Sequence, residues 1–266
     1  MNLTVLGTGH ALVTGYYQSC FVLSENDRCF LLDGGGGSGI LKQLKDSGID
    51  WKNIKDIFVT HKHIDHVMGI IWMIRMICHH MNHDDYEGDV RIYSYGELLK
   101  DIEFISRALM QDRETRFIGD RIHMVPVEDR QEMVIMGRRA VFFDTNSSKT
   151  KQFGCVIYLN EEEKLTFCGD EPFYEGAAEL AAGSKWMLHE ALCLESEADI
   201  YHPREIHHST VMEACETAQK LGVKNLVLYH TEDDHTENRK ALYGEEGRKY
   251  FRGNLYIPED LESFEL

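Results

Sequence analysis

The sequence predicts an α/β protein on three observations. The chain opens rich in short apolar runs of strand length. Strand-like runs then alternate with segments of helical period, and the same order returns in the second half. No Pro- or Gly-rich linker interrupts the 266 residues, so residues 1–266 read as one domain. The pattern is consistent with a four-layer αβ/βα sandwich, in which two facing sheets carry helices on their outer sides.

Residues 3–6 read as a buried strand turned by Gly7-Thr8-Gly9. A dinucleotide fingerprint would need a third glycine at Leu12, so that reading fails. Residues 20–23 and 29–32 form a strand pair across Glu25-Asn26-Asp27. Asp33 is followed by Gly34-Gly35-Gly36-Gly37-Ser38-Gly39, and no Gly-Lys-Ser/Thr closes it as a P-loop. It reads as a flexible turn, with Ser38 capping a helix over 40–45. The alternative is a run of backbone N–H groups that approach an anion.

Residues 54–60 form a strand, and 67 to about 80 a helix whose Met and Ile residues suit core or dimer packing. His79, His80 and His83 at its C-terminal end suit the helix dipole. Residues 90–94 are a strand. Residues 97–110 are a helix with Leu98, Ile102, Ile105 and Leu109 on one face. Residues 111–130 show no clear period. Two hairpins follow: 132–136 with 139–144, turned at Gly137-Arg138, and 153–159 with 164–168. Strands over 186–189 and 225–229 alternate with helices over 171–182 and 210–221, the last capped by Ser209 or Thr210.

An apolar fraction of 43% supports a real core, and no polar tract suggests disorder. No basic segment with an apolar h-region opens the chain, so no signal peptide is expected. The apolar run 70–74 is broken by Arg75, too soon to span a bilayer. The seven cysteines are odd in number and lack a Cys-x-x-Cys pair, which fits core packing in a reducing cytoplasm. The formal net charge of −17 argues against a membrane-surface role and against an extended nucleic-acid surface. A small anionic group at a metal centre stays compatible with it.

The chemistry gathers at His61-Lys62-His63-Ile64-Asp65-His66, directly after the apolar run 57–60. Imidazole and carboxylate are the ordinary ligands of zinc and similar divalent ions. A strand end supplies a rigid base, and the turn after it lets neighbouring residues converge.

This motif, followed in order by Phe167-Cys168-Gly169-Asp170, Leu188-His189-Glu190-Ala191, His207-His208-Ser209-Thr210 and Leu228-Tyr229-His230-Thr231, resembles the metallo-β-lactamase superfamily of metal hydrolases. Order and spacing resemble its ribonuclease Z-like branch, from Leu6-Gly7-Thr8-Gly9 almost to the last residue. The resemblance implies the four-layer metallo-β-lactamase-like sandwich, with ligands on strand-end loops along one edge. It implies a homodimer and two divalent ions, zinc first, with manganese and iron as alternatives. His61 and His63 are the implied ligands of one ion. Asp65, His66 and His230 are those of the second, and Asp170 bridges both. A metal-bound hydroxide is the implied nucleophile, with Asp65 as proton acceptor. His208 is implied at the substrate phosphate or leaving group, oriented by Glu190.

The chain departs from the branch pattern in four places. Asn146 stands where a metal-ligand His is expected, so it enters the metal set as a weaker amide ligand, with Asp144 on the same strand face as a substitute. The acidic residue expected within the glycine loop is missing. Glu171 replaces the threonine that often follows Gly-Asp. Only a short acidic turn separates Tyr158 from Phe167, leaving no room for the arm that binds transfer RNA. The expected activity is therefore hydrolysis of a small phosphodiester. The alternatives are a degenerate, non-catalytic metal- or ligand-binding member, motivated by Asn146, and an endoribonuclease on RNA 3′ ends. A di-iron redox role would need a flavin domain for which the chain has no room.

Overall fold

The structure is a computed structural model, and it describes residues 1–266. An antiparallel meander opens it: β1 (Asn2–Gly7), β2 (Cys20–Glu25) and β3 (Arg28–Leu32). The turn between the last two is tight because Asn26 accepts a left-handed φ of 53°. Helix α1 (Gly39–Asp46) leads to β4 (Ile54–Phe58), which pairs parallel with β3. Helix α2 (Ile64–Asn82) leads to β5 (Val90–Ser94). Helices α3 (Gly96–Leu109) and α4 (Asp112–Thr115) lead to β6 (Ile122–Pro126), all in parallel register.

The second half repeats this plan. Strands β7 (Glu132–Ile135), β8 (Arg138–Asp144), β9 (Phe153–Tyr158) and β10 (Lys164–Phe167) are antiparallel. Helix α5 (Ala178–Ala181) then precedes β11 (Trp186–Glu190). Helices α6 (Ala198–Tyr201) and α7 (Val211–Lys220) precede β12 (Asn225–Tyr229), and α8 (Arg239–Gly247) precedes β13 (Asn254–Tyr256). These three strands extend the sheet in parallel. The last strand, β14 (Ser263–Glu265), returns to the edge of β1. Two seven-stranded sheets result: the first half with β14, ordered β14-β1-β2-β3-β4-β5-β6, and the rest of the second half, ordered β13-β12-β11-β10-β9-β8-β7.

The sheets meet through aromatic side chains of both halves. Phe58 lies 5.0 Å from Phe142, and Phe21 lies 5.5 Å from Phe167 and 4.9 Å from Tyr229 between ring centroids. All five belong to one core cluster of buried residues. A second cluster, including Ala214, Cys215, Ala218, Leu226 and Leu228, seats α7 on the outer face of its sheet. The layers are those expected of the metallo-β-lactamase sandwich. The Ile, Met and Cys side chains of α2 at positions 70, 71, 73, 74, 77, 78 and 81 are buried in its own half, while Trp72 is exposed. All seven cysteines are free and buried. No helix is long and apolar enough to cross a membrane.

Several expectations needed correction. The helix expected over 171–182 is only a 3-10 turn at Glu175–Ala177 and the single turn of α5. Pro172 and Gly176 interrupt the Ala-rich stretch, and Glu171 is drawn away by Ser147. Ser38 makes no side-chain cap. The turn of the β7–β8 hairpin is Met136-Gly137, both left-handed, one residue earlier than read. Thr210 rather than Ser209 caps α7, in a reciprocal box with Glu213.

The glycine loop is packed rather than flexible. Gly34 N donates to His66 O and Gly69 N to Gly35 O, and a Cβ on Gly69 would lie 1.7 Å from Gly34 O. Glycine at both positions lets the loop touch the helix backbone directly. This contact holds α2 close to the end of β3, which matters for the site.

Candidate metal centre

The residues following β4, β10, β11 and β12 meet at one edge of the two sheets. His61 lies in the β4–α2 turn, Asp65 and His66 in the first turn of α2, Asp170 follows β10, Glu190 ends β11, and His230 follows β12. One ligand atom each from His61, His66 and Asp170 lies within 4.8 Å of the others. The same holds for Asp65, His66 and His230, and for Asp170, His208 and His230. His61 Nε2 and His66 Nε2 stand 3.5 and 3.6 Å from Asp170 Oδ2, and His230 Nε2 stands 2.9 Å from Asp170 Oδ1.

Hydrogen bonds behind the cluster decide which imidazole nitrogens face it. Asp33, fully buried at φ 56°, accepts Thr60 N at 2.8 Å and Thr60 Oγ1 at 2.8 Å. It also accepts His66 Nδ1 at 2.8 Å. Thr60 Oγ1 has spent its proton on Asp33, so at 2.9 Å it accepts from His61 Nδ1. Ser19 Oγ donates to Gly9 O, so at 3.0 Å it accepts from His230 Nδ1. In all three rings the Nδ1 proton points outward and Nε2 is left as the inward-facing nitrogen. Metal-binding imidazoles are held in this way.

The inward atoms have no other partner. His61 Nε2, His66 Nε2 and Asp170 Oδ1 are buried and unbonded. Leaving such groups unpaired costs about 1–3 kcal/mol each, more when charged. Three buried carboxylates, Asp33, Asp65 and Asp170, surround the rings, an excess of negative charge that a cation would offset. A divalent ion fits this donor set and its charge.

The pKa shifts follow the same electrostatics. Burial pushes the His61 imidazole well below its usual value. Burial also acts on His66, but Asp65 and Asp33 overcome it and hold the ring above its usual value. For Asp170, burial is overcome by His230 and His208, which keep its carboxyl well below the carboxylate range. The same competition, won by His66, lowers Asp65.

His208 stands beside the cluster on the loop before α7. Its Nδ1 is 3.5 Å from Asp170 Oδ1 and 3.4 Å from Glu190 Oε2, while Glu190 Oε1 accepts Ser209 N at 2.6 Å. Glu190 thus anchors the turn that presents His208. Burial opposes its charged form, but Asp170 and Glu190 raise its pKa above the usual value. Tyr229 donates from its hydroxyl to Gly169 O, and the left-handed Gly169 turns Asp170 inward.

Residues singled out from the sequence divide here. His61, Asp65, His66, Asp170, His208 and His230 share the three clusters, with Glu190 behind His208. His63 is half-buried with its ring 4.3 Å from His61 and joins no three-ligand group. Asn146 is not brought in: it is exposed at φ 55°, and its backbone N–H bonds Asp144 Oδ1 at 2.7 Å. His207 is exposed beside Ser148. His189 is buried on the opposite strand face, bonding the Glu190 carbonyl. His79, His80 and His83 form no ligand group.

The sequence reading missed four contributors. Asp33 directly follows β3 and opens the glycine loop, with no short motif of its own to mark a link to His66. His10 follows the Gly7-Thr8-Gly9 turn and lines the cavity; burial, then His230 and His208, push its pKa down to about 4. Lys149 and Tyr201 also line that cavity, of about 350 Å³, and lie in irregular segments without any pattern.

The family model for "Anti-Pycsar protein Apyc1" matches residues 1–251. The chain belongs to that family. Among curated relatives, a ribonuclease Z of Azobacteroides pseudotrichonymphae genomovar. CFP2 is 22% identical over 97% of this chain and 96% of its own length. Among solved structures, the metallo-beta-lactamase fold protein YhfI from Bacillus subtilis superposes with a TM-score of 0.79 at 15% identity, covering 99% and 98% of the two chains. The short form of human tRNase Z gives 0.76 at 21% identity over 100% and 99%. The expected fold and the ribonuclease Z-like resemblance within the metallo-β-lactamase superfamily are borne out. So is the class, a metal-dependent hydrolase.

Proposed function

We propose that the chain is a metal-dependent phosphodiesterase acting on a small phosphodiester. The observation that carries this reading is the convergence of buried, unpartnered His61 Nε2, His66 Nε2 and Asp170 Oδ1 beside the cavity that His208 lines. His61, His63 and Asp170 would hold one divalent ion, and Asp65, His66, His230 and Asp170 the other. Bound there, such ions supply a water of lowered pKa and neutralise phosphate charge. The chain's own residues do the rest. Asp65, whose carboxyl His66 holds below its usual range against burial, takes a proton, and His208, whose pKa Asp170 and Glu190 raise against burial, returns to the leaving oxygen a proton taken up at Nε2. Because Asn146 stays outside, an ion at His61 and His63 would be the more weakly held.

The −17 charge and the short turn between β9 and β10 favour a small substrate over an RNA 3′ end. The test is hydrolysis of bis(p-nitrophenyl) phosphate by chelated protein before and after addition of zinc or manganese. Chelation is expected to abolish turnover and metal to restore it, with Asp170→Ala lowering kcat/KM at least about a hundredfold. A metal-loaded parent without turnover would instead support the non-catalytic reading.

A further inference from the structure

Glu171 and residues 147–150 lie on touching segments. Glu171, buried directly after Asp170, accepts the Ser147 hydroxyl proton. Ser147 Oγ in turn accepts Lys149 N at 3.1 Å and Thr150 N at 3.2 Å. This relay folds residues 147–150 into a turn fixed to the segment that carries Asp170. The turn sends the Lys149 side chain into the cavity.

Lys149 is poorly matched to what surrounds it there. Its side chain is only 19% exposed, yet its nearest carboxylate oxygen, Glu171 Oε1, is 3.9 Å away. Its one hydrogen bond is to an imidazole nitrogen, His208 Nε2 at 3.4 Å. An ammonium ion has three donors, and a half-desolvated one calls for anionic oxygen. It is also the only lysine or arginine lining the cavity, which Asp170 and His208 line as well. A second rim contact, Ser148 Oγ to His207 at 3.3 Å, keeps the loop against the segment bearing His208.

We propose that Lys149 is a substrate-binding residue whose ammonium takes an anionic phosphate oxygen beside His208, with Glu171 and Ser147 as the positioning pair that delivers it. The inference rests on the phosphodiesterase reading for its substrate, but the anion site itself rests on the geometry above. Lysine serves as a point charge for phosphate without a bidentate fork. When the phosphate oxygen binds, Lys149 exchanges its weak bond to His208 Nε2 for a charge-assisted one, leaving that ring nitrogen facing the substrate.

The experiment compares the full chain with Lys149→Met, Lys149→Arg and Ser147→Ala, in two measurements. The first is binding of inorganic phosphate to chelated protein by calorimetry. The second is KM and kcat for bis(p-nitrophenyl) phosphate after metal is restored, with metal content and melting temperature recorded for each variant. Lys149→Met is expected to weaken phosphate and raise KM by about 10- to 100-fold while kcat changes less. Lys149→Arg should recover part of that loss, which separates lost charge from lost folding. Ser147→Ala should raise KM by a smaller factor with metal content unchanged. Phosphate affinity and KM within about twofold of the parent in a folded Lys149→Met would overturn the proposal. A parent that binds phosphate through Lys149 but hydrolyses nothing would leave this site standing and remove the phosphodiesterase reading.

Discussion

The two sides of the cavity are built differently. One side, from His61 to His66 with His230, is backed by Asp33, Thr60 and Ser19, and every one of these except His63 and its exposed neighbours is buried. The other side consists of the 146–150 turn and the 195–208 segment. It is half-exposed, and three of its residues, Asn146, His202 and His207, adopt left-handed backbone. The buried side fixes ring orientation through hydrogen bonds that leave no choice of tautomer. The exposed side is held by a few polar contacts: Ser147 with Glu171, Tyr201 with Asp234, and His235 with Glu197. Metal chemistry requires the rigidity of the first side. Asn146, which stands where the branch pattern expects a metal-ligand His, lies on the second side and is exposed.

The sharpest way to break this contrast is at Asp33. Asp33→Ala removes the acceptor of three buried bonds and should cost about 3–5 kcal/mol of stability. Asp33→Asn tolerates the same left-handed backbone, so it should fold. It should still lose metal affinity by about 10- to 100-fold, because His66 Nδ1 loses its carboxylate. Denaturant unfolding and metal titration of both variants check this, and wild-type metal affinity in Asp33→Asn would show that the buried side is not preorganised through it.

A smaller effect is expected at Asn146. Asparagine tolerates φ 55° and alanine does not, so Asn146→Ala should cost about 1 kcal/mol. Metal content and turnover should stay within about twofold of the parent. Loss of an ion in this variant would place Asn146 among the ligands and merge the two sides.

The smallest effect concerns pH. Its bond to Glu197 raises the pKa of His235, against partial desolvation. Stabilisation from the pair is complete below the unfolded value near 6.5 and fades as pH rises through the higher folded value. The pair is partly exposed, so the loss should stay under about 1 kcal/mol after screening. Melting temperatures of parent and Glu197→Gln should therefore differ at pH 6 and converge toward pH 9. A constant difference would mean that Glu197 acts by packing alone.

Most of the architecture was determined by local sequence. Hydrophobic period alone marks β4, β9, β11 and β12, and capping chemistry marks α7, because strands and capped helices are specified by neighbours a few residues apart. The contiguous cluster from His61 to His66 was legible for the same reason, as were Asp170, Glu190, His208 and His230 through their short motifs. Tertiary structure alone decided the rest. Asp33 acts from 33 residues before His66, and Ser19 from 211 residues before His230. The helix that composition favoured over 171–182 yielded to Pro172, Gly176 and the pull of Ser147 on Glu171. Lys149 had no motif to announce it. It reaches the cavity only because a buried carboxylate 22 residues later in the chain holds its turn in place, and such a contact exists only once β8, β9 and β10 have paired.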